Sequence, residues 1–199
     1  AVNVQDVSCY GYCDGYIEVT TSGGMPFYNS LGNPIYINLW DDTLSQITPT
    51  AIGLCGGIDQ INFDTTYTNT ITDAIGCVVT VSRVITQPDS LDISAGVGQE
   101  ISCFGATDGS LSITSTTGGT PNYNYLWNTT PVQTGNTINN LGTGSYVVVA
   151  TDDNGCMDTT EIYLAEPTNL SVAVSSTNVS CYGDDNGKII AIPSELKIF

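Results

Sequence analysis

Seven cysteines, at positions 9, 13, 55, 77, 103, 156 and 181, are the residues best equipped for chemistry in this chain. A thiolate becomes a nucleophile or a metal ligand when a base, a cation or further ligands stand beside it. The sequence offers little of that: histidine is absent and no Cys-x-x-Cys pair occurs. Disulfides formed in an oxidising compartment are the expected use, and an odd count leaves one cysteine over, as in a piece of a longer array. The other reactive class is the carboxylate. Twenty acids against three basic residues (Arg83, Lys188 and Lys197) give a net charge of −17. That balance excludes nucleic acid as a partner, because phosphate binding needs clustered basic side chains, and it disfavours an anionic membrane surface. Glycoside hydrolysis needs two carboxyls facing each other across a cleft. Adjacent acids such as Asp41 and Asp42 read instead as solvated loop residues, and no enzyme is expected. No run of 18 apolar residues is present, so no membrane insertion is expected. The start at Ala1, without a signal-type segment, is read as a mature or excised piece.

The elements that must position these residues come from an internal repeat. Cys9-Tyr10-Gly11-Tyr12-Cys13-Asp14-Gly15 returns as Cys103-Phe104-Gly105-Ala106-Thr107-Asp108-Gly109 and as Cys181-Tyr182-Gly183-Asp184-Asp185-Asn186-Gly187. Each copy precedes a β-patterned run: Tyr16–Thr20, Ser110–Thr114 and Lys188–Ile192. Further landmarks keep their spacing. Trp40 to Leu54 and Trp127 to Leu141 are both 14 residues, and Tyr67 to Cys77 and Tyr146 to Cys156 are both 10. The copies differ by two insertions in the first, around Tyr28–Pro34 and Ile58–Thr66. Ile52–Gly57 and Leu141–Gly144 read as corners, and Val78–Ile85 and Met157–Leu164 as the second arms of hairpins. The expected organisation is a repeat over residues 1–88, a second over 89–167, and a partial third over 168–199 with its first strands only. Residues 194–199 depart from the pattern.

Short alternating strands with turn signals every 8–12 residues indicate tandem antiparallel β-sandwiches of about seven strands each, an all-β fold. Trp40 and Trp127 at the ends of strands, with Tyr67 and Tyr146 entering later ones, resemble the core Trp and corner Tyr of immunoglobulin-like domains. These four aromatics read as core, with sugar stacking as the alternative. The assembled landmarks resemble the SprB repeat of Bacteroidetes surface adhesins. They are Val7-Ser8-Cys9-Tyr10-Gly11 with Asp14-Gly15, Gly118-Gly119-Thr120-Pro121, Tyr123-Asn124-Tyr125-Leu126-Trp127, Leu141 with Gly144 and Tyr146, and Thr151-Asp152-Asp153-Asn154-Gly155-Cys156. The resemblance implies sandwich modules in very large cell-surface proteins exported by type IX secretion, some of them adhesins of gliding motility.

In an immunoglobulin-like topology the first turn and the corner before the sixth strand share one end of the sandwich. Cys13 and Cys55 occupy those places in the first repeat, where the second has Thr107 and Gly142, so a Cys13–Cys55 disulfide is expected. Two schemes stay open for the rest: Cys9–Cys77 with Cys103–Cys156 inside repeats, or Cys9–Cys156 between neighbours. Asp152, Asp153 and Asp14 are candidate calcium ligands, since Ca²⁺ takes six to eight oxygens, although Asp-Asn-Gly is first a hairpin turn. No other cofactor is expected. Asp followed by a hydroxyl residue and a small apolar residue or Thr resembles the Bacteroidetes O-glycosylation signal, and marks Thr43, Thr65, Ser90 and Thr159. The function expected is that of a structural, adhesive stalk at the bacterial surface, whose partners are neighbouring repeats or identical chains. The alternatives are a module binding surface polysaccharide through the first-repeat insertions, and a filament subunit completed by strand addition.

Overall fold

The computed structural model describes residues 1–57 and 64–193; the centre of the second insertion (58–63) and the terminal stretch 194–199 lie outside the described residues. The described residues form seventeen strands: β1 (Val2–Gln5), β2 (Gly15–Val19), β3 (Phe27–Tyr28), β4 (Pro34–Ile35), β5 (Ile37–Trp40), β6 (Thr50–Leu54), β7 (Asp64–Thr72), β8 (Val78–Thr86), β9 (Asp92–Gln99), β10 (Gly109–Thr117), β11 (Asn124–Trp127), β12 (Gln133–Thr134), β13 (Thr137–Leu141), β14 (Gly144–Thr151), β15 (Met157–Leu164), β16 (Val172–Thr177) and β17 (Lys188–Pro193). The described chain is all-β. It forms two compact units, one of Ala1–Ser94, Ser115–Leu126 and Val149–Thr159, the other of Ala95–Thr114, Trp127–Val148 and Thr160–Phe199.

In the first unit, sheets β1-β2-β6 and β5-β7-β8 enclose one core. Val7, Ile17, Val19, Ala51 and Leu54 come from the first sheet and its flanks, and Trp40, Ile71 and Ile85 from the second. The alternation predicted from sequence is the reason: Asn38 and Trp40 of β5 point inward while Ile37 and Leu39 face out. Trp40 is 1% exposed and its Nε1–H donates to the Thr48 carbonyl at 2.8 Å. Inward-facing Asn38 is matched by Asn69, whose Nδ2–H donates to the Asn38 Oδ1 at 2.9 Å. The first insertion folds as the small β3-β4 hairpin.

Residue periodicity does not mark β6 and β13 as strands. Both lie where the sequence reads as a polar stretch and a corner. The physical reason is a bulge. Gly15 pairs with Leu54 but Tyr16 with Ile52, leaving Gly53 (φ 68°) unpaired; Gly109 pairs with Leu141 but Ser110 with Asn139, leaving Asn140 (φ 59°) unpaired. One extra residue turns the inward period from two into three, so the buried pairs are Ala51/Leu54 and Ile138/Leu141.

The second unit holds Ile101, Leu111, Trp127, Ile138, Leu141, Val148 and Leu164 buried. Trp127 Nε1–H donates to the Gly135 carbonyl at 3.0 Å. Gly109 admits the close approach of Leu164, whose Cδ2 would lie 2.7 Å from a Cβ there. At its C-terminal side β16 and β17 form a two-stranded hairpin with every residue exposed, including Val172, Val174, Ile189 and Ile192.

Candidate functional site

Two kinds of turn recur, and their cysteines are the chemistry of the molecule. The first is the Ser-Cys-x-Gly turn. In each of three copies the backbone N–H of the next residue is placed by a left-handed glycine: Gly11 (φ 75°), Gly105 (φ 76°) and Gly183 (φ 90°). The N–H of Tyr12, Ala106 and Asp184 donates back to the carbonyl of Cys9, Cys103 and Cys181. A residue five places after the cysteine closes the turn. Ser8 N–H donates to Asp14 Oδ1 (2.9 Å), Ser102 N–H to Asp108 Oδ1 (3.1 Å) and Ser180 N–H to Asn186 Oδ1 (3.0 Å). The hydroxyl and backbone N–H of Ser8 hold the Asp14 carboxyl below its ordinary pKa, and Ser102 does the same for Asp108. The residue before the closing proline of each repeat also serves. Gly11 N–H donates to Gln87 Oε1 (3.0 Å) and Gly105 N–H to Glu166 Oε2 (2.6 Å).

The second is the hairpin turn Asp-x-x-Gly-Cys, at Asp73–Cys77 and Asp152–Cys156. Its carboxylate organises the loop. Asp152 Oδ1 accepts the N–H of Asn154 (2.9 Å) and Cys156 (2.8 Å), and Oδ2 accepts Thr120 N–H (2.7 Å). Asp73 Oδ1 accepts Ile75 N–H (3.1 Å) and Cys77 N–H (2.8 Å), and Oδ2 accepts Met25 N–H (3.0 Å). The Met25 N–H, outweighing burial, leads in holding Asp73 below its ordinary pKa. The internal symmetry of these bonds was not read from sequence, although the Asp-x-x-Gly-Cys spacing is common to both.

The turns meet at one place. Cys9 and Cys156 form a disulfide with Cα atoms 5.7 Å apart, across a sequence separation of 147. Both half-cystines are buried. Asn154 Nδ2–H donates to the Ser8 carbonyl and to Thr120 Oγ1, each at 3.0 Å. A cavity of about 100 Å³ beside the bridge is lined by Tyr10, Tyr12, Leu91, Gly119 and Met157. Cys13 and Cys55 form a second disulfide, Cα atoms 4.0 Å apart. Next to it, Tyr67 Oη accepts Cys55 N–H (3.0 Å) and donates to the Cys55 carbonyl (3.1 Å); Tyr146 Oη donates to the Gly142 carbonyl (2.9 Å) at the matching corner. Of the two schemes the sequence leaves open, the structure contains the cross-repeat one. Cys9–Cys77 and Cys103–Cys156 are not formed, because the partners of Cys77 and Cys103 in that scheme are bonded to each other. Cys77, Cys103 and Cys181 are exposed free thiols.

The remaining candidates are placed as follows. Asp14 spends its oxygens on Ser8, Asp152 spends Oδ1 on its own hairpin and Oδ2 on Thr120 N–H, and Asp153 Oδ2 accepts the Asn122 amide at 2.7 Å. No group of three or more potential metal ligands occurs among the described residues. Thr43, Ser90 and Thr159 are exposed and Thr65 is half-buried. Trp40 and Trp127, each 1% exposed, offer no face for a sugar.

Comparison with known proteins gives a family match and little else. Residues 1–29 and 95–131 match the model of the SprB repeat. Each matched segment begins ahead of a Ser-Cys-x-Gly turn and runs into or past the Gly-Gly turn that follows the next strand. No curated protein matches the chain. Over these two segments, each set on the same repeated turn and strand order, the chain is similar to the SprB repeat.

Proposed function

We propose that this chain is a structural segment of a large secreted or surface-anchored bacterial adhesin or fibre, its repeats acting as a stalk. The observation that carries the reading is the Cys9–Cys156 bridge, which ties the first turn of one repeat to the last hairpin of the next. Such a bond does no catalysis. It takes load that would otherwise fall on hydrogen bonds and small hydrophobic cores. On this reading the molecule works outside the cell, is exported by the type IX route, and bears O-linked sugars at exposed Thr43, Ser90 and Thr159. An intact mass above that of the bare chain in native material supports the sugars; the bare mass rejects them.

Single-molecule pulling from the two termini tests the stalk. The bridge hides the 147-residue span it closes, and at about 3.3–3.6 Å per residue that span is about 50 nm of contour. The oxidised chain is expected to withhold that length, and a Cys9→Ser/Cys156→Ser variant to release it. Equal contour lengths for the two would reject the reading.

A second reading has its own support. The β3-β4 hairpin exposes Phe27, Tyr28, Leu31 and Ile35, a side-chain set able to lie against the apolar faces of sugar rings. It makes this insertion a contact for surface polysaccharide. Loss of glycan-array binding on replacing residues 27–35 by a short turn is the expected result, and unchanged binding, or none before deletion, removes it.

A further inference from the structure

The two Asp-x-x-Gly-Cys hairpins are the same object in different states of use. Asp73 and Asp152 accept matching sets of N–H groups, and the cross-turn bonds agree as well: Asp73 N–H to the Cys77 carbonyl and Asp152 N–H to the Cys156 carbonyl are both 3.0 Å. Beneath each lies a glycine at φ 61°, Gly24 or Gly119, where a Cβ would press on the aspartate at 2.8 or 2.7 Å. Cys156 has its partner. It is bonded to Cys9, and Tyr10 and Tyr12 of the received turn line the space beside it. Cys77 is an exposed thiol, and the space beside it is a cavity of about 200 Å³, lined by Gly23, Gly24, Tyr36, Asp73 and Val78, about twice that at the occupied site. One hairpin has received an aromatic-bearing Cys turn; its twin presents the same floor, the same thiol and room for the aromatic side chain.

The chain also carries turns to give. Val179-Ser180-Cys181-Tyr182-Gly183 repeats Val7-Ser8-Cys9-Tyr10-Gly11 residue for residue, whereas the Cys103 copy has Ile101 and Phe104. Cys181 is a free exposed thiol and Tyr182 stands fully in solvent. Its backbone is already that of the docked Cys9 turn, with Asp184 N–H on the Cys181 carbonyl and Ser180 N–H on Asn186. Ile75, 65% exposed, replaces Asn154 at the receiving edge and offers an apolar contact instead of a hydrogen bond.

We propose that Cys77 is a covalent docking site for the Cys181 turn of a second copy of this chain, joining molecules head to tail. With oxidised glutathione as the oxidant, the Cys181 thiolate attacks its disulfide and one glutathione thiolate leaves. The Cys77 thiolate then attacks the Cys181 sulfur and the second leaves. The glutathione S–S bond is broken, the Cys77–Cys181 S–S bond is formed, and two protons pass to the glutathione thiolates. The inference deepens the stalk reading and rests on it in taking the Cys9–Cys156 bridge as the pattern for a docked pair.

The test is incubation of the purified chain at high micromolar concentration in a glutathione redox buffer, followed by non-reducing electrophoresis and mapping of an unreduced Asp-N digest. Reducible dimers and longer ladders joined by a Cys77–Cys181 peptide are expected. Cys77→Ser and Cys181→Ser should each reduce the ladder at least tenfold, and Cys103→Ser should leave it intact. An equimolar mixture of Cys77→Ser and Cys181→Ser chains has one competent end of each kind and should stop at the dimer. Cys77 found bonded to Cys77, to Cys103, or only to glutathione overturns the proposal. The Cys9–Cys156 peptide is read in the same map, so its absence would count against the stalk reading separately.

Discussion

A carboxylate that accepts backbone N–H or hydroxyl groups is worth more to a loop than one that only repels its neighbours, and the lowered aspartates among the described residues, Asp14, Asp42, Asp73 and Asp108, are of that kind. Asp14 and Asp108 are held down by serine, and Asp73 chiefly by Met25 N–H. In Asp42 burial pushes the other way but is outweighed by Gln46 and the N–H groups of its own loop. A folded-state pKa below the unfolded one means stability that is complete above the ordinary carboxylate value, about 3.9, and lost as pH falls through the depressed values. The melting temperature should therefore be nearly flat from neutrality to about pH 5 and decline below about pH 4. Asp73→Asn, followed by circular dichroism, should lower the neutral value and flatten the acid decline. Asp152→Ala orphans three N–H groups and should cost about 1–3 kcal/mol in urea unfolding. The two disulfides should also part at this scale. Cys9 and Cys156 are buried whereas Cys13 is exposed, and thiol exchange needs access to sulfur. Mild reductant with alkylation should label Cys13 and Cys55 before Cys9 and Cys156.

At the scale of the element, the bulged strands β6 and β13 show what sets the shape of each sandwich. Gly53 sits at φ 68° with nothing but the Cys13 carbonyl near a Cβ, at 3.9 Å. Gly53→Ala should therefore cost only the left-handed backbone, about 1–2 kcal/mol, and Asn140→Gly should change stability by less than about 1 kcal/mol. Gly118→Ala is a different case, because its Cβ would meet the Ser90 carbonyl at 2.0 Å; unfolding curves should place it well below Gly53→Ala. These strands also mark where the sequence stopped being legible. The alternation leading to Trp40 and to Trp127 is readable because every second side chain of β5 and β11 turns toward the core on an unbroken pleat. Thr50–Leu54 and Thr137–Leu141 hide their burial at a spacing of three, and no periodicity search for a strand looks there. The cysteine turns were legible as a repeat. The grip of Asn154 on the Ser8 carbonyl was not, since two residues 146 apart share no local pattern.

For the whole molecule, the bridges act on the unfolded chain. A loop closed over 147 residues limits the denatured ensemble by about 5 kcal/mol in the chain-entropy account, and one over 42 residues by about 4 kcal/mol. Cys9→Ser should thus be more damaging than Cys13→Ser in denaturant unfolding. The same ring governs what an attacking protease can achieve. Arg83, exposed on β8, is the only trypsin site between the bonded residues Cys9 and Cys156. Cleavage there should leave the mass on a non-reducing gel unchanged and split the chain only after reduction. More generally, cuts anywhere between residues 10 and 155, however many, leave the segment 1–9 attached to the segment 156–199. The two ends of the chain can be parted only by a cut outside the ring, so proteolysis of the exposed β16-β17 hairpin, which contains Lys188, shortens the chain where cuts inside the ring do not.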